Sequence, residues 1–490
     1  MTASLKAKTY QNIGYNAVTK AVTFIFQAAA NIILARHLTP DDYGVIGFAM
    51  IFINFLSQFN DFGINSAVVQ EKELTDSSLY TGFSMKVLLG FLALMLSLIV
   101  APLANYFFDN LAVVNVVRLI SLSFIINTMS FLPTTLMTRE LNYKLLGFAQ
   151  MGAALMTSSV SIALVLNGFT YWSIVIANVC ASVMSVVILN LLHPVRPRFH
   201  LDRAKALHYL QFGGNLLLSG LVTFALINTD NLVIGSLEGA KTLGFYALAF
   251  TWGSVISGIS WSVISTLLFP TFARIQEDRA RIKRGYLMTL EMVALLGIMA
   301  NLSLFIASRE FLVYLGDGSD KWLPALQAFR ILCVYGMIRT ILEPVAGVII
   351  SLGHTGLLLK ANCLATLLQV VLLYPVLRRF GIEGVAALVT VSYAAQYLVY
   401  FPALKKEIGL KFGDVFSSLR TAIFAGIVVY LLSNFFALSG MHRYGAGDLW
   451  IKLLVSAGFF FLVHGQLSRW RILREIRSLL GGLKPAQQVP

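Results

Sequence analysis

Fourteen stretches of about 20 mainly apolar residues follow one another along this chain, each long enough to cross the hydrocarbon of a bilayer as a helix. Inside lipid every backbone N–H and C=O must find a partner within the protein, so only helices and closed barrels span. Runs of this length select the helix. The windows are 13–35, 43–66, 80–104, 112–137, 145–167, 170–192, 211–235, 243–269, 286–307, 323–351, 358–377, 384–402, 418–437 and 449–466. The thinnest breaks are Asn167-Gly168, between the fifth and sixth, and Arg378-Arg379-Phe380-Gly381, between the eleventh and twelfth. Composition agrees: 57% of the 490 residues are hydrophobic and 12% charged, about half the charged share of a soluble domain. The expected fold class is therefore an all-α polytopic membrane protein with about 14 transmembrane helices. Cys180, Cys333 and Cys363 lie inside apolar windows without CxxC spacing, which suits packing residues and neither a disulfide framework nor a zinc site.

Part of the first window is echoed 200 positions later. Val22-Thr23-Phe24 recurs as Val222-Thr223-Phe224, Asn31-Ile32-Ile33-Leu34 as Asn231-Leu232-Val233-Ile234, and Gly44 as Gly244, without a gap. Gly14 and Asn16 find Gly213 and Asn215 one step out of register. The echo lies deep in the chain, so residues 13–35 read as a retained span even though Lys6, Lys8 and Ala28-Ala29-Ala30 imitate a secretory signal. Six spans separate the two copies, an even number, so both enter the membrane in the same direction. Parallel repeats of this kind are related by an axis along the membrane normal, with a central cavity between them. The expected organisation is a six-helix bundle over 1–193, a basic cytoplasmic linker at 194–210, a second six-helix bundle over 211–403, two additional helices over 418–466 and a tail at 467–490.

Lysine and arginine give the orientation. With the amino terminus inside, cytoplasmic connections hold about 23 of them and the opposite loops about 7, a strong positive-inside bias that puts both termini in the cytoplasm. Arg196, Arg198, Arg203 and Lys205 fill one cytoplasmic loop, and Arg274, Arg279, Arg281, Lys283 and Arg284 another. The net charge of +14 then reflects topology and contact with membrane lipids of anionic headgroup, and nucleic acid is not an expected partner. In the tail, Trp470, Leu473, Ile476 and Leu480 share a helical face among arginines, the pattern of a basic amphipathic interfacial helix stopped by Gly481-Gly482.

Polar residues inside spans carry the chemistry, because a charge at a helix centre costs about 2.5 to 3.5 kcal/mol and so usually faces a cavity or a partner. Lys20, Gln27 and Asn31 form one stripe on the first span, near Thr23; Asn54, Gln58 and Asp61 form another on the second. Arg118 lies in the fourth with Ser121 on its face, Asp230 ends the seventh, and the tenth carries Arg330, Arg339, Glu343 and the helix-kinking Pro344. Arg339 and Glu343 at i, i+4 can neutralise each other, while Asp61 and Asp230 can cap helix ends. Lys86 and Glu291, near span ends, are expected to snorkel to the interface. Lys20 and Arg118, deep in their spans without a carboxylate on the same helix, are expected to face the cavity. No Walker loop, HExxH or Ser/His/Asp spacing is present, so a transporter and not an enzyme is expected, driven by an ion gradient or its substrate's own.

Leu34-Ala35-Arg36-His37-Leu38-Thr39-Pro40-Asp41-Asp42-Tyr43-Gly44 resembles the opening signature of the oligosaccharide-flippase, Wzx-like branch of the multidrug/oligosaccharidyl-lipid/polysaccharide exporter superfamily. Asp61-Phe62-Gly63-Ile64, Thr138-Arg139-Glu140-Leu141-Asn142-Tyr143, Asn167-Gly168-Phe169-Thr170-Tyr171-Trp172-Ser173, Asp230-Asn231-Leu232-Val233-Ile234-Gly235, Leu243-Gly244-Phe245-Tyr246, Phe269-Pro270 and Gly381-Ile382-Glu383-Gly384-Val385-Ala386 are similar to its motifs in the same order, across about residues 5–415. The resemblance implies a flippase of the bacterial inner membrane. Its cargo would be undecaprenyl-diphosphate-linked oligosaccharide repeat units, turned from the cytoplasmic to the periplasmic leaflet for exopolysaccharide, colanic acid or O-antigen synthesis. It also implies a polysaccharide polymerase and chain-length machinery as partners. It assigns no cavity residue. On chemical grounds, Lys20, Arg118, Arg330 and Arg339 suit the diphosphate, Gln27, Asn31, Asn54 and Gln58 suit sugar hydroxyls, and Asp61, Asp230 or Glu343 would take a coupling H+ or Na+, with no other cofactor. The competing readings are a cation-coupled multidrug exporter and a peptidoglycan-precursor flippase of the same fold; a membrane scaffold or an embedded glycosyltransferase fits the parallel repeat less well.

Overall fold

The computed structural model describes residues 3–108, 111–140, 142–274, 277–438 and 446–467, and among them there is no strand. The helices are α1 (Ala3–His37), α2 (Pro40–Asp61), α3 (Ile64–Gln70), α4 (Asp76–Phe108), α5 (Leu111–Thr128), α6 (Phe131–Arg139), α7 (Tyr143–Leu166), α8 (Trp172–Leu192), α9 (Arg203–Arg274), α10 (Arg279–Ile306), α11 (Ser308–Leu315), α12 (Leu326–Ser351), α13 (Thr355–Ile408), α14 (Phe412–Leu438) and α15 (Ala446–Leu467). The protein is an all-α, multi-pass membrane protein.

Eleven helical stretches of the described residues are long and apolar enough to cross a membrane. Two of these, Arg203–Trp261 and Thr355–Ile408, reach into two expected windows apiece. Within α9 the backbone leaves the helical region at Gly239 (φ 82°, ψ 179°), and within α13 at Gly381 (φ 61°, ψ −157°). Such values suit glycine, which has no Cβ to clash. Each long helix is thus two arms meeting at one residue, and with α1 the expected windows are all occupied by helix. Two windows differ in detail. The second is not one helix: α2 stops at Asp61, Phe62 (φ 37°) and Gly63 (φ 65°) take left-handed conformations, and α3 restarts at Ile64. The fourth breaks between Thr128 and Phe131. Beyond Leu467, the expected amphipathic tail lies outside the described residues.

Local chemistry explains several of these ends. Thr39 caps α2, its hydroxyl accepting from the Asp42 N–H (3.2 Å) while the Asp42 carboxylate accepts from the Thr39 N–H (2.9 Å); this is a reciprocal capping box with Pro40 in the first turn. At the far end of α3, Arg139 donates from Nη1 to the carbonyls of Glu71 (2.6 Å) and Val69 (3.3 Å) and from Nη2 to that of Lys72 (3.3 Å), satisfying acceptors the helix end leaves open.

The chain divides into two compact units, one of Met1–Leu248, Leu315–Asp317 and Thr366–Val385, the other of Ala249–Tyr314, Gly318–Ala365 and Ala386–Pro490. In the first, α7 packs on α1 and α8, and α5 on α2, α4 and α8. In the second, α10 packs on α12, α14 and α15, around a core that includes Ala294, Ile298, Ala425 and Phe460. Large apolar side chains such as Ile99, Leu191 and Leu398 stay exposed at more than 70%, as lipid-facing surface should. Of the cysteines only Cys333 is buried; Cys363 is exposed, so packing explains one and not the other.

Candidate functional site

Within the first unit, α2 runs antiparallel along the first arm of α9. Phe62 packs against Gly213, Gln58 against Gly220, the Phe55 ring lies 5.5 Å from Phe224, Asn54 Nδ2 donates to Asn228 Oδ1 (3.4 Å), and Phe48 covers Gly235. Small residues let the two backbones close up, the usual basis of helix packing in a membrane. At the end of this seam the two echoed segments meet. A Cβ built on Gly44 would overlap the carbonyl of Ala240 and stand 2.8 Å from its Cα; one on Gly244 would overlap the carbonyl of Pro40, 2.7 Å from its carbon and 3.1 Å from the nitrogen of Gly44. Residue 44 thus meets 240 while 244 meets 40. A contact that repeats when its two partners exchange roles is the mark of a twofold relation, here between copies offset by 200 positions.

The expected site residues fall into distinct surroundings. On α1, Lys20 is half-buried and engaged with a neighbour, Asn31 is half-buried, and Gln27 is exposed beside the exposed Ile25 and Phe26. On α2, Asn54 and Gln58 belong to the seam just described, and Gln58 Nε2 also donates to the Asn54 carbonyl (3.3 Å). Arg118 is exposed, with no ion pair among the described residues. Ser121 does not share its open face: its hydroxyl is buried, donating to the Arg118 carbonyl (2.8 Å), and Asn115 is the polar residue exposed beside Arg118.

The second unit holds the remaining cations. Arg330 Nε donates to Ser308 Oγ (2.9 Å), and its guanidinium lies 6.0 Å from the centre of the Phe305 ring. Arg339 Nε is 3.5 Å from Glu343 Oε1, its Nη1 donates to Tyr335 OH (3.0 Å), and the Tyr335 and Tyr393 rings each sit 5.9 Å from the guanidinium carbon. Pro344 follows inside a continuous α12.

The three acids differ in how far they are satisfied. Asp61 is 77% exposed and pairs with Lys86 (3.5 Å). Asp230 is buried, and it accepts from Tyr246 OH (2.7 Å), from the Asn231 N–H (2.8 Å) and from Asn231 Nδ2 (3.3 Å). Glu343 is 7% exposed, and neither carboxylate oxygen has a hydrogen bond among the described residues, the contact with Arg339 being one of distance without alignment. Two residues expected to snorkel do not. Lys86 is 12% exposed because the end of α2 offers it the Asn60 carbonyl (2.7 Å) and Asp61, and Glu291 is buried and engaged. For Lys86, pairing across helices replaces escape to water. Sequence reasoning missed Asn228, Tyr246, Tyr335 and Tyr393; Tyr335 was findable four residues before Arg339 on one helical face, while the others are set by packing.

A family model described as polysaccharide biosynthesis protein matches residues 33–327. The chain is 23% identical over 446 residues to the lipopolysaccharide biosynthesis protein WzxC of Escherichia coli (strain K12), covering 88% of each chain. It is 24% identical over 367 residues to the succinoglycan biosynthesis transport protein ExoT of Rhizobium meliloti (strain 1021), covering 73% of this chain and 71% of that one. Among solved structures, the inward closed conformation of lipid II flippase MurJ aligns with a TM-score of 0.75 at 12% identity, covering 93% of this chain and 98% of that one. An inward-facing multidrug resistance MATE family transporter aligns with a TM-score of 0.63 at 15% identity, covering 80% and 99%. At such identities these structures share the fold.

Proposed function

Because the chain belongs to the polysaccharide biosynthesis protein family, we propose that it is a flippase. In this reading it turns undecaprenyl-diphosphate-linked oligosaccharide repeat units from the cytoplasmic to the periplasmic leaflet of the bacterial inner membrane, with both termini cytoplasmic. The observation that carries the transport reading is the reciprocal contact of Gly44 with Ala240 and Gly244 with Pro40. Two related segments that touch through small residues, without interlocking side chains, can shift against each other at this contact, and alternating access requires movement between repeats. A glycan and a diphosphate cannot cross hydrocarbon cheaply, whereas a polyprenyl tail is already soluble in it. Only the head needs enclosing.

The polar side chains divide the work. Asn54 and Gln58 offer amide groups to sugar hydroxyls, with Gln27 and Asn31 on α1 in the same role, while Asn228, buried and bonded to Asn54 and the Phe224 carbonyl, positions Asn54. Arg118, open and without an ion pair among the described residues, and Lys20 supply positive charge for the diphosphate, Arg118 with a fork that fits two phosphate oxygens. Arg330 and Arg339, in the second unit, are held by Ser308 and by Glu343 and Tyr335, so neither is free to make a first contact with a phosphate. Of the three acids, Glu343 suits the coupling ion best: a buried carboxylate without hydrogen bonds gains most from taking up H+ or Na+, while Asp230 is already satisfied.

Deletion from a polysaccharide-producing host tests the reading. Lipid-linked repeat units should accumulate on the cytoplasmic leaflet and be released by the wild-type chain. Normal polymer output in the deletion strain, or accumulation of the peptidoglycan precursor instead, would sink it.

A further inference from the structure

The arginine-rich end of the first unit holds a cavity of about 270 Å³ whose lining includes Phe83, Leu132, Val187, Val195, Pro197 and Asn190. Asn190 commits its amide hydrogens elsewhere, to the carbonyls of Val186 (2.9 Å) and Met129 (3.1 Å), so the lining is apolar in effect. Val187, one of the lining residues, is 45% exposed, so the lining reaches the surface there.

One wall is the strap of residues 194–202, which has no regular secondary structure and is pinned along α4. His200 N–H donates to Ser84 Oγ (2.9 Å) and Asp202 N–H to Thr81 Oγ1 (3.0 Å). Val195 and Pro197 face the cavity, and Phe199, 75% exposed, lies with its ring 5.6 Å from Phe83. Arg196 and Arg198 fall between them. Neither these two nor Arg203 has a carboxylate partner among the described residues, although Glu73 and Asp76 are exposed at the same end. The strap's own acid is occupied: Asp202 accepts from the Ala204 N–H (2.9 Å) and the Lys205 N–H (3.3 Å) as the cap of α9, and from Ser77 Oγ (3.4 Å). An apolar slot thus sits beside guanidinium groups without a carboxylate partner among the described residues, that of Arg198 lying 6.0 Å from the centre of the Tyr80 ring.

We propose that this cavity binds one anionic diacyl phospholipid of the surrounding leaflet, an acyl chain in the slot and the phosphate on Arg196 and Arg198. An acyl chain in the slot supplies the van der Waals partners that an empty apolar cavity lacks, and basic side chains at a membrane surface favour anionic headgroups. The two demands meet only in a ligand with both parts. A bound lipid here would anchor the strap, and with it the start of α9, at the membrane interface.

The test uses the full chain, purified in mild detergent and supplied with phosphatidylglycerol or phosphatidylcholine of the same acyl chains, with bound lipid read by native mass spectrometry. Wild-type protein should retain phosphatidylglycerol roughly tenfold over phosphatidylcholine. Val187→Trp, which fills the slot from its exposed lining, should lower phosphatidylglycerol retention without altering charge. Arg196→Gln with Arg198→Gln should erase the preference while leaving the slot. Both changes are at exposed positions, and unchanged melting temperatures separate loss of the site from loss of the fold. Equal retention of the two lipids by wild type, or undiminished phosphatidylglycerol in both variants, would overturn the proposal. So would displacement by a short-chain polyprenyl diphosphate at lower concentration than by lysophosphatidylglycerol, which would give the slot to an isoprenoid carrier. Neither readout measures transport, so this site and the flippase reading stand or fall separately.

Discussion

Gly44→Ala adds one carbon at the place where the echoed segments touch. That carbon would stand 2.8 Å from the Ala240 Cα, against 3.4 Å for an ordinary contact, and would overlap the Ala240 carbonyl. The atoms in the way are backbone within α9, so no side chain can rotate aside, and clearing the Ala240 carbonyl oxygen requires the two segments to part by about an ångström or more. Overpacking of this kind costs about 1 to 3 kcal/mol, a shift of roughly 5- to 150-fold in the balance between closed and parted states. Gly244→Ala meets the Pro40 carbonyl in the same way, so the reciprocal geometry requires a matching effect. The assay is a distance measurement between spin labels at the exposed positions 41 and 241, on a background with Cys180, Cys333 and Cys363 replaced by Ala. Each variant should lengthen the distance distribution and reduce export of lipid-linked repeat units. An unchanged distribution in both variants, or a large effect of one and none of the other, would refute the argument.

Arg339→Ala strands Glu343 in a buried site without its cation and should cost about 3 to 5 kcal/mol; Arg339→Met with Glu343→Leu should restore melting temperature but not export. Asp202 is held below the usual carboxylate range, chiefly by the Lys205 backbone N–H. Such a depressed group stabilises the folded state above its unfolded pKa and loses that contribution as pH falls through the folded value. Protection of the 200–206 amides from hydrogen exchange should therefore persist through the ordinary carboxylate range, about pH 4, and fade below it, whereas Asp202→Asn should flatten the profile. Arg118→Ala should cut export at normal membrane abundance, with Arg118→Lys intermediate because it keeps the charge and loses the fork; equal export by wild type and both variants would remove Arg118 from the binding of the diphosphate.

The spans were legible in the sequence because the bilayer permits little else: about 20 apolar residues must be helix. Gly381 was legible as part of a boundary and Gly239 only as an unmarked position between two windows, and the tightness of the turns was not legible, since one glycine with positive φ joins arms that the apolar windows set several residues apart. The break at Phe62-Gly63 lies in a polar run, Asn60-Asp61 before it and Asn65-Ser66 after it, at the end of an apolar window, where the polar residues read as the end of a span and not as a break within it. Charges were misjudged where the partner is on another helix. Lys86 reads as a snorkelling lysine until the end of α2 supplies Asn60 and Asp61. Gly44 and Gly244 stood out only as an offset pair, and their contact with Ala240 and Pro40 needed the fold.

Reconstitution tests the central claim most directly. The purified chain in liposomes, loaded with an undecaprenyl-diphosphate-linked oligosaccharide on one leaflet, should speed appearance of the glycan on the other leaflet, as read by accessibility to an added lectin or glycosidase. Gly44→Ala and Gly244→Ala should slow it together. Movement no faster than in protein-free liposomes, under imposed proton and sodium gradients of either sign, would contradict the account.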